Sequence, residues 1–416
     1  MSLDHRVSNT IPGKTKKKIR RRAEFRPPER IPFLIALGKL ILPFYCRYVA
    51  DLSFQFKQSS NQPLTKLKNR RTIILLNHAD RHDPVVVVAL AKHINETVFC
   101  LAAREVFDWN HGFLGWLMQK FGVYSVNRGV ADIESIRTTK EILKRTDSKL
   151  IVFPEAEITG DDNKIHTINN GLMHIILDVQ DEISNEQSPD SVWILPTGLH
   201  YSLLSSFEFS VVPILKKIEQ HLNIESKNSG SISNRLALAT EKLMNELAGR
   251  FEFTLPENIS QDQQVNALAV HVCQRVAKIT ATDLSNKSAE EMLYALRNEI
   301  IILRAEQTPD SKGLEEGSEE LEHVERLLIF ERILQTSATS PMRVCRVLDF
   351  LEIEAMGHIS NKGHQKVSVY FDEPIEVKKY LADYKDSKRE AIDTLTSDIH
   401  QRLQAALDHS KAMESK

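Results

Sequence analysis

Short apolar segments alternate with helix-like segments from residue 72 to about residue 212. The pattern runs through residues 73–76, 85–93, 98–102, 133–143, 150–153, 172–179 and 192–196. Several of these segments are short and rich in β-branched residues, as buried strands are, and the others repeat their apolar positions at helical spacing. Strands that alternate with helices predict an α/β sheet with crossover connections.

A long helical stretch follows, from about residue 214 to residue 359. Helical periodicity is clearest in residues 235–247, 265–279 and 289–305, and we predict polar loops at 225–233 and 306–320. Strand-like alternation returns at 366–371, just before an Asp-Glu-Pro turn at 372–374. We therefore predict an α/β domain made of residues 61–213 and 364–416, interrupted by an inserted helical domain at 214–363.

The segment before this domain joins a basic cluster to an apolar stretch. Residues 14–30 hold nine basic residues against two acidic ones, a local net charge of +7, and the apolar stretch 31–50 contains Lys39 and Arg47. Spanning a membrane is disfavoured, because a central charge costs roughly 2.5–3.5 kcal/mol. We expect a disordered basic arm at 1–30 and a helix at 31–60 that lies on an anionic membrane surface. The alternative is a basic arm followed by a core helix.

The overall charge and the cysteines narrow the class of protein. A formal net charge of −2 over 416 residues argues against nucleic acid as a partner, since nucleic-acid binders usually show a basic excess. The four cysteines lie far apart with no C-x-x-C pair, which predicts neither a zinc site nor a disulfide framework. The first thirty residues are too polar for a secretory signal peptide. We expect a protein on the cytoplasmic side of a membrane, peripheral or monotopic, without a metal or a cofactor.

The first chemical motif lies where a predicted strand meets a predicted helix. Asn77 and His78 follow the strand 73–76, and Asp83 and Pro84 open the helix 85–93. An aspartate before a proline predicts an N-cap, with Pro84 as the first helical residue. The loop is short enough for Asp83 to reach one imidazole nitrogen of His78 and leave the other for a substrate hydroxyl, as in the His–carboxylate half of a triad. The same residues also fit a loop histidine beside an N-cap aspartate.

Three further blocks follow in order. They are Phe-Gly-Val-Tyr-Ser-Val-Asn-Arg at 121–128, Phe-Pro-Glu at 153–155 and Leu-Pro-Thr at 195–197. Together with Asn-His-x-x-x-x-Asp they resemble the four motifs of the glycerolipid acyltransferase superfamily, whose members include 1-acylglycerol-3-phosphate acyltransferases. The resemblance covers about residues 64–201 and returns at 367–375, which looks like the family's closing strand. It implies an α/β fold with a mixed sheet flanked by helices.

The resemblance also implies a reaction. His78 would be the general base and Asp83 its partner, and Asn77, from the same motif, belongs to the substrate-binding set. A fatty acyl group would pass from a thioester, acyl-CoA or acyl-carrier protein, to a hydroxyl of a lysophospholipid or related glycerolipid. The leading acceptor is 1-acylglycerol-3-phosphate.

The later blocks receive their roles from the same resemblance. Arg128 would bind the acceptor's phosphate, which suits a planar fork of donors. Glu155 would order the acceptor site or its loop, and Pro196 would shape the acyl-facing strand end. The alternatives are a surface salt bridge for Arg128, an N-cap or ion pair for Glu155 and strand punctuation for Pro196.

The third block departs from the family pattern. Where the family usually has Gly-Thr-Arg-Ser after Phe-Pro-Glu, this chain has Ala-Glu-Ile-Thr at 156–159, so the basic residue is missing and Glu157 adds negative charge. Lys164 and His166 are nearby candidates for a compensating charge. The change keeps a second hypothesis open, a catalytically silent lipid-binding scaffold on the same fold. The inserted helices leave three roles open: covering the acyl chain, docking a protein partner or forming a dimer.

Overall fold

The computed structural model of the protein describes residues 24–57, 61–186, 190–225, 230–306, 311–336 and 340–413. The strands are β1 (Leu52–Phe56), β2 (Thr72–Leu76), β3 (Thr97–Ala103), β4 (Val123–Val126), β5 (Ser148–Val152), β6 (Trp193–Leu203), β7 (Gln365–Phe371) and β8 (Ile375–Glu376). The helices are α1 (Pro32–Tyr45), α2 (Gln62–Lys66), α3 (Asp83–Ile94), α4 (Phe113–Lys120), α5 (Ile133–Leu143), α6 (Asn170–Asn185), α7 (Phe207–His221), α8 (Ile232–Arg250), α9 (Gln261–Thr280), α10 (Ala289–Ala305), α11 (Ser311–Gln335), α12 (Pro341–Met356), α13 (Leu381–Asp386) and α14 (Lys388–Lys411).

The strands form one mixed sheet. Its order is β1-β7-β6-β2-β5-β3-β4, and β8 pairs with β6. Strands β6, β2, β5, β3 and β4 are parallel, whereas β7 and β8 run antiparallel to β6. The predicted α/β fold with a mixed sheet and flanking helices is therefore confirmed. Parallel strands bring their carboxyl ends to the same edge of a sheet, so the motifs that follow β2, β4 and β5 lie at one edge.

Helices cover both faces of the sheet. Alternate residues of β2 point to opposite faces, and all five of its residues are buried. Ile73 and Leu75 join a core with residues of α5, α6 and α14, and Ile74 and Leu76 join a second core with residues of α1 and α3. The near-continuous apolar run at 73–76 follows from this burial on two sides.

Among the described residues, six helices, α7–α12, lie between β6 and β7 and have a hydrophobic core of their own. The helical part begins at Phe207, earlier than predicted, and the predicted polar loop at 306–320 is wrong from residue 311, where α11 starts. Leu314, Leu321 and Val324 of that helix are buried. They lie on one face of the first turns of α11, where apolar residues are sparse among glutamates, and this is why the sequence pattern there is typical of a loop.

The N-terminal part differs from the prediction at both of its boundaries. Residues 1–23, which hold most of the basic arm, lie outside the described residues, but the backbone of Arg26 pairs with that of Ser125 in β4, so 24–30 is not a free arm. The apolar helix α1 continues as a π-helical turn to Ala50, and residues 52–56 are an edge strand instead of helix. By length and composition alone, the helical run Pro32–Ala50 could span a membrane, a test that core helices also pass.

Candidate active site

The His78 side chain stands at the carboxyl end of β2 with its ring positioned by Asp83. Nδ1 of His78 lies 2.7 Å from Oδ2 of Asp83, whose side chain is completely buried, while His78 is 18% exposed. The ring also stacks on Phe153, with 4.3 Å between the ring centroids. Among the described residues, none hydrogen bonds with Nε2 of His78. One ring nitrogen is therefore held by a carboxylate, and the other is free for a ligand.

Asp83 is itself held on both carboxylate oxygens. Oδ2 also accepts the backbone N–H of Asp80 at 3.1 Å, and Oδ1 accepts the hydroxyl of Tyr201, a buried residue of β6. The predicted N-cap is wrong by one position, because His82 is the N-cap and Asp83 and Pro84 are the first two helical residues. The Asp83 side chain binds the loop before the helix instead of the helix N–H groups, and this orients it toward His78.

Glu155, from the loop after β5, holds the histidine loop in place. Its Oε1 accepts the backbone N–H of His78 at 2.7 Å, and its Oε2 accepts that of His166 at 2.8 Å. Thr159 completes the connection, since its N–H and its hydroxyl both donate to the His78 carbonyl, at 2.7 and 3.0 Å. Burial raises the pKa of Glu155 despite these hydrogen bonds. The third block therefore fixes the backbone of His78, which fits the predicted ordering role of Glu155.

Asn77 and Pro196 lie within the sheet. The side-chain amide of Asn77 donates to the Leu199 carbonyl at 3.0 Å and accepts the Leu199 N–H at 2.7 Å, so this buried residue extends the pairing of β2 with β6. Pro196 is the fourth residue of β6, not its end, and lies where the antiparallel partner of β6 changes from β8 to β7. The Pro196 carbonyl still accepts the N–H of Asp372 at 2.9 Å, and proline is tolerated in a strand at such a break in the pairing.

Arg128, at the end of β4, is enclosed by other residues of the chain. Its guanidinium donates to the carboxylates of Glu105 and Glu157 and to the Ala156 carbonyl, and it lies 4.9 Å from the ring centroid of Tyr294 in α10. Arg128 therefore contacts Glu105, Glu157 and the inserted helix α10. Arg128 does form salt bridges, but they do not lie on the surface, because only 12% of the Arg128 side chain is exposed.

A buried ionic network lies behind the His78–Asp83 pair. Arg346 of α12 donates to Asp162 at 2.8 Å and to the Gly160 carbonyl at 3.1 Å, and approaches Asp80 at 3.4 Å. Asp162 also accepts the backbone N–H of Tyr201 at 2.9 Å. Burial alone would raise the pKa of Asp162, but the charge of Arg346 lowers it well below its usual value. No local sequence pattern marks this network or Tyr201, because Arg346 lies 184 residues after Asp162.

The altered third block has a left-handed residue where the family pattern has glycine. Ala156 adopts a φ of +62°, a conformation that costs a residue with a Cβ roughly 1–2 kcal/mol. The imidazole of His166, proposed as a compensating charge, lies 3.3 Å from Asp161. Within the described ranges, no cluster of three or more histidine, cysteine or acidic side chains is arranged to hold a metal ion.

Comparison with known proteins identifies the part of the chain that holds this geometry. Residues 54–199 match the model of the acyltransferase family. The match includes His78, Asp83, Arg128, Glu155 and Pro196, and it ends just before Tyr201. A search of curated proteins found no match. The match supports acyl transfer as the general activity, and it agrees with the resemblance of this segment to the glycerolipid acyltransferase superfamily.

Proposed function

We propose that this protein is an O-acyltransferase that moves a fatty acyl group from a thioester to a hydroxyl of a lysophospholipid or a related glycerolipid. The observation that carries the proposal is the His78–Asp83 pair, with Nδ1 held at 2.7 Å and Nε2 free of partners in the described structure. This is the arrangement of a general base whose tautomer is fixed by a carboxylate.

The chemistry follows from that geometry. Nε2 of His78 takes the proton of the acceptor hydroxyl as the oxygen attacks the thioester carbonyl, and the buried carboxylate of Asp83 stabilises the imidazolium that forms. When the tetrahedral intermediate collapses, the C–S bond breaks and the leaving thiolate receives the proton from the imidazolium. The products are the ester and a free thiol, and the enzyme returns to its starting state without a covalent intermediate. No metal or cofactor is required, and the donor is acyl-CoA or acyl-carrier protein.

The test is acyl transfer by the purified protein, with both thioester donors and a panel of lysolipids that includes 1-acylglycerol-3-phosphate. We expect His78→Ala to abolish transfer without unfolding the chain. The matched control is His364→Ala, which removes a histidine with the same 2.7 Å contact to an aspartate, Asp51, at the far edge of the sheet. Turnover near that of the wild type in folded His78→Ala would refute the mechanism. Lipid binding without any transfer by the wild type would favour the scaffold.

We also propose that α1 lies on the cytoplasmic surface of an anionic membrane. Its apolar side chains are strongly exposed, with Phe33, Leu40 and Phe44 at 73%, 76% and 63%. Exposed Trp109 and Trp116 lie on the neighbouring 104–120 segment, and tryptophan is enriched at membrane interfaces. These features support an interfacial helix with an aromatic flank.

Sedimentation with vesicles that contain anionic lipid tests this placement. We expect Leu40→Asp to weaken vesicle binding. Leu238→Asp is the matched control, because Leu238 is also an exposed leucine, at 49%, but lies on α8 of the inserted helices. Equal binding by both variants would count against α1 as the docking element.

A further inference from the structure

Both terminal nitrogens of Arg128 are engaged by other residues of the chain, while its buried Nε has no hydrogen-bond partner among the described residues. One terminal nitrogen, Nη1, donates to Glu157 and to the Ala156 carbonyl, and the other, Nη2, donates to Glu105 and lies 3.7 Å from Glu325. Tyr294 lies over the guanidinium and donates its hydroxyl to Glu157. A phosphate that binds the terminal nitrogens of Arg128 would have to replace these partners.

The other arginines near this site are paired as well. Arg297 of α10 makes two hydrogen bonds to Glu325, at 3.2 and 2.9 Å, and one to Glu105 at 2.9 Å. Arg332 of α11 donates to the Ile158 carbonyl at 3.1 Å and pairs with Glu290. Counting these partners, three arginines face four glutamates, so the surroundings of Arg128 hold no surplus of positive charge.

Two of these glutamates, Glu105 and Glu325, have pKa values below the ordinary value for a glutamate. Burial alone would raise the pKa of Glu105, but the charges of Arg128 and Arg297 lower it overall. Burial alone would also raise the pKa of Glu325, but the charge of Arg297 lowers it to about 2. A phosphomonoester would bring a further charge of about −1.5 to −2 at pH 7 into a site where Glu105 and Glu325 are already charged. The electrostatic environment therefore opposes a phosphate group here.

The inserted helices that enclose Arg128 are packed in place. Leu293, Leu296 and Ile300 of α10 are buried in the core of the inserted helices, so moving this helix would expose them. Two glycines in left-handed conformations allow the contact: a Cβ on Gly129 would lie 2.9 Å from the Cβ of Tyr294, and one on Gly160 would lie 2.5 Å from Ile333 of α11. Helices α10 and α11 therefore pack against the backbone just after the second and third blocks.

We infer that the acceptor of this enzyme carries no phosphomonoester, and that Glu105, Glu157 and Tyr294 exclude one from Arg128. The acceptor class is then a glycerolipid with a free hydroxyl and no phosphomonoester, such as a monoacylglycerol. The inference rests on the proposed acyl transfer, and it assigns Arg128 to the contact between the sheet and the inserted helices. It also replaces 1-acylglycerol-3-phosphate as the leading acceptor.

The first test measures binding and does not need catalysis. Glycerol 3-phosphate, the head group of the phosphate-bearing acceptor, is titrated against the full chain while thermal unfolding is followed. A ligand that binds the folded state raises the melting temperature as its concentration exceeds Kd. We expect no shift, and a saturable rise would overturn the inference whatever the activity of the protein.

The second test compares kcat/KM for 1-oleoylglycerol and 1-oleoylglycerol 3-phosphate in the same mixed micelles. We expect the wild type to prefer the uncharged acceptor by about 10-fold or more, because repulsive contacts select against the other. Glu157→Gln and Tyr294→Phe should raise the relative use of the phosphate-bearing acceptor. Glu134→Gln, which removes an exposed glutamate paired with Arg137, is the matched control and should not.

The outcomes separate the inference from the proposal beneath it. A wild type that prefers 1-oleoylglycerol 3-phosphate overturns the inference and leaves acyl transfer intact. Absence of transfer to every acceptor overturns the proposed function, and the glycerol 3-phosphate titration then still shows whether the folded chain binds a phosphomonoester.

Discussion

Replacing Tyr201 by phenylalanine removes one hydrogen bond from the carboxylate that orients His78. Among the described residues, the Tyr201 hydroxyl is the partner of Oδ1 of Asp83, and both side chains are buried. The ring remains in place in the variant, so packing is preserved. Oδ1 is then a buried carboxylate oxygen without a donor, and the carboxylate loses the contact that sets its rotation.

The magnitude follows from the charge of the acceptor. A hydrogen bond to a charged group is worth about 1.5–3 kcal/mol, and an unsatisfied buried acceptor costs a similar amount. We therefore expect Tyr201→Phe to lower the free energy of unfolding by about 2 kcal/mol. If the same contact is needed in the transition state, kcat falls by about 10- to 150-fold with KM little changed.

The assay is thiol release from the acyl thioester, read beside urea unfolding of the same samples. Tyr124→Phe is the matched control, because Tyr124 is equally buried and its hydroxyl lies 2.7 Å from a neutral partner, the Thr139 hydroxyl. The control should lose about 1 kcal/mol of stability and keep its kcat. Unchanged kcat in Tyr201→Phe, or an equal loss in both variants, would refute a positioning role for Tyr201.

Three further predictions concern stability. Burial alone would raise the pKa of Asp80, but His82 and Arg346 lower it from 3.8 to about 2. The ionised Asp80 therefore stabilises the fold by about 2 kcal/mol above pH 4, and this contribution is lost as the pH falls from about 4 to about 2. Urea unfolding should show Asp80→Asn less stable by that amount at pH 7, with the difference narrowing below pH 4; a constant difference would contradict it. Ala156→Gly relieves the left-handed strain and should raise the free energy of unfolding by up to about 1 kcal/mol, since glycine's freedom in the unfolded chain offsets part of the gain. A marked fall in the melting temperature would contradict this. Gly198→Ala should destabilise by about 1–3 kcal/mol or more, because its Cβ would lie 2.3 Å from the backbone of Ala406 in α14, and unaltered melting would contradict that packing.

Local patterns predicted most of the elements correctly. The segments 133–143 and 289–305 are helices with the predicted bounds, and β7 begins one residue before the predicted strand. Strong periodicity and capping residues such as Ser288, whose side chain takes part in a capping box, make such elements readable. The errors fall where the signal is weak, in the glutamate-rich start of α11 and at the edge strand β1.

Contacts in the candidate site also differ in how far apart their residues lie along the chain. His78 and Asp83 are five residues apart, so a short loop between a strand and a helix brings them together, and the sequence alone determined their contact. Tyr201 and Arg346 reach the pair from distant elements, and no local pattern marks them.

What the sequence by itself determined about this protein is the alternation of strands and helices, the ordered motifs and the His78–Asp83 geometry, because each depends on neighbours along the chain. Only the tertiary structure decided that Arg128 faces glutamates and that α10 covers it, since these contacts join residues up to 197 positions apart. A sequence shows the charge of each side chain, but only the fold determines which residue that side chain pairs with.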